Sequence, residues 1–110
     1  MKLCQITIKN VIIRVLYQNY SEQIENKHLP YYNAEDLAIL LKCQPHELIK
    51  NCDDVITTDE GAFISTSDFT KNILKLDMPH QDVMYVFGVL TGIIQGITIC
   101  IATHDTSVKF

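Results

Sequence analysis

The stretch Tyr31-Tyr32-Asn33-Ala34-Glu35-Asp36-Leu37-Ala38-Ile39-Leu40-Leu41 decides how the rest of this 110-residue chain is read. Asn33 is a good helix N-cap, because its side chain can accept from an unpaired N–H of the first turn. Glu35 and Asp36 follow where the helix dipole favours anions, and Ala34, Leu37, Ala38 and Leu41 recur at i, i+3, i+4 and i+7. The spacing predicts an amphipathic helix with one apolar face turned to a core.

Upstream, Ile6-Thr7-Ile8 and Val11-Ile12-Ile13 are apolar and β-branched on either side of Lys9-Asn10, where Asn tolerates positive φ. Residues 3–8 and 11–17 therefore read as a hairpin, and the polar stretch 18–29 as a surface loop. Downstream, Pro45 suits the first position of a second short helix reaching about Asn51. Val55-Ile56-Thr57-Thr58 and Ala62-Phe63-Ile64 read as two strands around the Asp59-Glu60-Gly61 turn. A third helix is expected from near Ser67, with Ser65 and Asp68 at capping-box spacing and Phe69, Ile73 and Leu76 facing inward.

Beyond Asp77-Met78-Pro79, residues Val83 to Ala102 carry no charge, and Gly88, Gly92 and Gly96 stand four residues apart. Such a row makes a smooth stripe on one helix face that another backbone can approach closely. Three readings fit: a buried core helix, a homodimer seam along the glycines, and a membrane span. Thr91, Gln95 and Thr98 interrupt the apolar run and no basic cluster flanks it, so the core helix is the expectation and the membrane the least favoured. Residues 97–101 also alternate as a strand would.

One domain, residues 1–110, follows from the length, and 47% hydrophobic residues can supply its core. The fold class expected is α+β: a small antiparallel sheet of hairpins covered by three to four helices, the last apolar and glycine-striped. The net charge of −4 is uneven, with eight Asp and Glu against three Lys and Arg after residue 50. That half repels phosphate. The start, Met1-Lys2-Leu3-Cys4-Gln5, shows no apolar leader, so a cytoplasmic protein is expected, with Cys4, Cys43, Cys52 and Cys100 as reduced, buried thiols.

Residues 34–51 can also form a helix–turn–helix that turns Gln44, His46, Glu47, Lys50 and Asn51 outward toward a nucleic acid or another partner. Few cations lie nearby, so affinity for bulk DNA should be weak while a specific site stays open. Asp53, Asp54, Asp59 and Glu60 offer an acidic surface for a basic partner. Cys43, His46 and Cys52, with His28 or His80 as a fourth, are too loosely spaced for structural zinc; His104 completes the histidines. Neither metal nor cofactor is expected. No Gly-rich phosphate loop, Gly-x-Ser-x-Gly or His-Glu-x-x-His occurs, which points away from an enzyme.

Over residues 11–76 the order of elements resembles the BRO-N domain of phage and viral antirepressor-type proteins. Tyr31-Tyr32, Asp36-Leu37, Leu40-Leu41, Gly61-Ala62-Phe63-Ile64 and Asp68-Phe69 carry the resemblance. Lys42-Cys43 stands where that family usually has Gly, the charge is acidic, and no second domain is expected beside it. The resemblance implies a phage-type regulatory protein, an antirepressor-like module that binds a macromolecule, with a protein partner expected. Two other functions fit the residues. One is an anti-CRISPR-like inhibitor whose acidic half fills a basic nucleic-acid groove; the other is a small protein anchored in a membrane by residues 83–102.

Overall fold

The computed structural model describes residues 2–17, 30–73, 79–103 and 107–109, and shows an α+β fold with a six-stranded sheet and four helices. The expected loop at 18–29, the inward Leu76, and His28 and His104 lie outside the described residues. Strands β1 (Lys2–Ile8) and β2 (Val11–Tyr17) form the predicted hairpin in full register, from Lys2 opposite Tyr17 to Ile8 opposite Val11. Lys9 and Asn10 make its turn with φ of 50° and 66°. Two positive φ values are what a type I′ turn requires, and Asn meets that demand more easily than Lys.

Pro30 leads not directly into a helix but into a short strand, β3 (Tyr31–Asn33), paired with β2 on one side. On its other side lies β5 (Gly61–Ser65), which with β4 (Val55–Thr58) forms the second hairpin. The two hairpins thus join through β3, and Gly61, at φ 111°, closes the second turn in a conformation side chains resist. The last strand, β6 (Ser107–Lys109), pairs parallel to β1, so the sheet order is β4-β5-β3-β2-β1-β6. The sheet is antiparallel throughout except at this edge.

Helix α1 (Ala34–Leu41) starts as read: the Asn33 side chain accepts from the Asp36 N–H at 3.0 Å. It ends on Lys42, left-handed at φ 58°, while the Cys43 N–H donates back to the Ala38 carbonyl at 3.0 Å. That is a Schellman-type stop, and Lys occupies the place glycine takes at least cost. Helix α2 (Pro45–Ile49) is shorter than predicted, and α3 (Thr66–Ile73) begins one residue earlier, with Ser65 accepting from the Asp68 N–H. Helix α4 (His80–Thr103) runs through residues 97–101, which settles them as helix.

All four helices pack on one face of the sheet. Cys4, Ile6, Ile8, Ile13, Val15, Tyr32 and Ile64 meet Leu37, Leu40, Leu48, Phe69, Ile73, Ile93 and Ile97 in one cluster. Tyr32 and Phe69 stack edge to face with ring centroids 5.6 Å apart. Leu41 is only partly buried, and Leu40 takes the deeper place. Phe63 is buried outside the cluster, because strand neighbours point to opposite faces and Ile64 takes the helix side.

Candidate partner-binding surface

The β1–β2 turn, the end of α1 and the first turns of α4 converge on a surface groove of about 550 Å³ lined by Lys9, Val11, Ile39, Leu40, Leu41, Lys42, Asp82 and Tyr85. Its apolar wall is exposed, with Ile39 at 65% the most exposed large hydrophobic side chain among the described residues. Lys9 and Lys42 flank the groove, and both are held in left-handed backbone. The Lys9 ammonium sits 4.2 Å from the Tyr85 ring centroid, a cation–π contact that fixes where the charge lies. A second, shallower hollow shares Lys9 and Tyr85 and continues over Ile8, Gly88, Val89 and Gly92. The combined surface can take apolar side chains and hold an acidic group at its edge. Sequence reading missed it, since its residues come from three distant segments.

The helix–turn–helix residues are found where the reading put them only in part. Gln44, His46, Lys50 and Asn51 are exposed and Glu47 half-buried, while Leu48 holds α2 to the core. At five residues, however, α2 is about 7.5 Å long, short against a major groove roughly 12 Å wide.

The acidic residues do not form one surface. Asp53 and Asp54 precede β4 while Asp59 and Glu60 follow it, a strand about 13 Å long lying between. Most are also engaged within the protein. Glu60 accepts from Arg14 at 3.0 Å, Asp53 pairs with Lys71 at 3.1 Å, and Asp54 accepts from the Tyr31 hydroxyl. Burial, and then this bond to Asp54, push the Tyr31 hydroxyl up to about 12.

Two carboxylates that sequence reading placed only as helix starts prove to be internal fasteners. Asp36 accepts from the Arg14 backbone N–H at 2.8 Å and from its guanidinium at 2.9 and 3.0 Å. It thereby serves β2 as a sheet partner just where β3 turns into α1. Asp68 accepts from the N–H groups of Asp53 at 3.2 Å and Asp54 at 2.9 Å. Burial alone would raise the Asp68 carboxyl, but those N–H groups outweigh it and hold it below the ordinary carboxylate range.

Among the described residues no three His, Cys, Asp or Glu side chains gather into a metal-ligand set. Cys52 is turned instead to the Leu48 carbonyl at 3.0 Å and accepts from Asn72 at 3.1 Å. Burial, then Asp68, push its thiol up to about 11; burial, then Cys100, push Cys4 up to about 12. Neither is a nucleophile at neutral pH.

The glycine row divides. A Cβ on Gly96 would lie 2.9 Å from Ile6 Cδ1, on Gly92 3.5 Å from Ile8 Cδ1, and on Gly88 within 4 Å of nothing. Only Gly96 is required by close packing, and its partner is strand β1. Four-residue spacing advances a helix by 400°, so the row drifts off the sheet toward solvent. No family model matches this chain, and no curated protein or solved structure matches it either.

Proposed function

We propose that this chain is a non-enzymatic regulatory protein of the antirepressor type that residues 11–76 resemble, acting in the cytoplasm by binding a protein. The carrying observation is the groove between α1, the β1–β2 turn and α4, with exposed Ile39 on its wall and Lys9 and Lys42 at its rim. Strained backbone concentrates where function requires it, and two of the three non-glycine positive-φ residues among the described ones are these lysines. An apolar floor suits a side chain and not a phosphate, so the matching occupant is a protein segment carrying an apolar anchor beside Asp or Glu. Duplex DNA fits less well, given a net charge of −4.

A displayed peptide library panned on the full chain tests this reading. Enrichment should favour acidic–apolar peptides whose binding is lost in Ile39→Asp and Lys42→Glu but kept in Ile12→Glu, exposed on the opposite sheet face. Peptides indifferent to Lys42→Glu, or sub-micromolar retention of duplex DNA at physiological salt, would overturn it.

A further inference from the structure

Helix α4 has a second face that the sheet does not cover. Val86, Val89, Ile93, Gly96, Ile97 and Cys100 are buried, while Met84, Phe87, Ile94 and Ile99 are exposed by 59, 40, 47 and 40%. Met84, Phe87, Thr91, Ile94 and Thr98 alternate by three and four residues along that outer face, the spacing of a helix–helix seam. The threonines on it make no demand on water. Thr91 donates to the Phe87 carbonyl at 3.0 Å and Thr98 to the Ile94 carbonyl at 3.1 Å, so the face can be desolvated without orphaning a hydroxyl. Gly88 leaves open space beside Phe87.

We infer that this face pairs with the same face of a second copy of the chain, antiparallel, to form a weak dimer. The partner has to be uncharged, because no Asp, Glu, Lys or Arg occurs from 83 to 103, and it has to be a long helix to follow the seam. The other described helices have eight, five and eight residues, so among the described residues α4 itself is the helix of matching length and chemistry. With the two-fold axis at Thr91, Phe87 of each copy lies level with Gln95 and beside Ile94 of the other, and Met84 lies level with Thr98. Opposed helix dipoles favour this arrangement. A 24-residue helix is about 36 Å long and about 10 Å wide, so the pair buries on the order of 700 Å², short of a stable interface. The association is therefore concentration-dependent.

The composition and length of α4 would also suit a bilayer. Its buried side, however, is locked against β1 through Gly96 and Ile6, and spanning would strip the sheet of its cover. No Lys or Arg between 80 and 103 draws it to an anionic surface.

Sedimentation equilibrium of the full chain, up to about 1 mM, should show the mass rising from 12.6 kDa toward twice that value. Ile94→Glu should weaken self-association at least about tenfold, one 1.4 kcal/mol step, while its melting curve at high dilution stays that of the parent. Thr98→Lys repeats the test at a second exposed position should Ile94→Glu fold poorly. A monomer at every concentration, or a dimer indifferent to both changes, overturns the inference. So does co-flotation of the chain with phosphatidylcholine vesicles, lost in Ile94→Glu, which would make lipid the occupant.

Discussion

The two ends of the sheet use charge in opposite ways. Around β4 and β5, Arg14, Asp36, Asp53, Asp54, Glu60 and Asp68 are joined to backbone groups or to oppositely charged or polar side chains. At the β1–β2 turn, Lys9 lies on an aromatic ring, and Lys42 makes no ion pair among the described residues. An acidic count in the sequence pointed to the first end as the place a partner would meet. The structure shows Asp36, Asp54 and Asp68 engaged inside the fold and Asp53 and Glu60 in ion pairs at its surface, while Lys9 and Lys42 at the other end stand beside an open groove. A charge is available for recognition only if the fold has not already used it.

The comparison breaks most directly at Asp36. Replacing it by Ala leaves the Arg14 backbone N–H without its acceptor and the guanidinium with Glu60 as its remaining carboxylate, in a site where Asp36 is largely buried. Removing one partner of such a pair costs about 3–5 kcal/mol. Denaturant unfolding should show that loss; a variant within about 1 kcal/mol of the parent would mean the network is decoration.

The glycine row gives the next test, with opposite signs from one residue type. Gly96→Ala forces Ile6 to move from a 2.9 Å contact and should destabilise the protein by about 1–3 kcal/mol. Gly88→Ala meets nothing and should stabilise it by about 1 kcal/mol, the ordinary helix preference for alanine. Equal effects at the two positions would mean that α4 does not sit on β1 as described.

Much of this architecture was legible. Lys9-Asn10, the Asn33 cap and the Ser65 cap are local signals, each read from a few adjacent residues, and each is present. Strands β3 and β6 were not legible, because three residues cannot show alternation and only their neighbours make them strands. Phe63 and Ile64 sit in one apolar run, so nothing local says which faces the helices. The acids' employment was hidden for another reason. Arg14 reaches Asp36 across 22 positions and Glu60 across 46, and no spacing rule links residues so far apart.

The third test adds pH. Asp68 has a depressed pKa in the folded protein, so its stabilisation is present above the unfolded carboxylate range and is lost as pH falls through the folded value. Asp68→Asn should therefore cost about 2 kcal/mol at neutral pH, the scale of a hydrogen bond to a charged group. The gap between variant and parent should close in acid, as the parent's carboxylate takes up its proton. A gap that stays constant down to about pH 2 would show that packing, not charge, is what Asp68 supplies.

The smallest effect is the most telling about the groove. Lys42 ends α1 in left-handed backbone, which costs a residue with a Cβ about 1 kcal/mol more than glycine. Lys42→Gly should recover that cost and raise the melting temperature by about 4 °C for a domain of this size. Glycine's greater freedom in the unfolded chain offsets part of the gain, so the shift is an upper value. If the groove binds an acidic, apolar segment, the same change should weaken peptide binding although it strengthens the fold. A purely structural role predicts the same gain in stability with binding untouched. Measuring melting and peptide affinity on the one variant separates these, because strain retained at a lysine is explained by recognition only if both move in opposite directions.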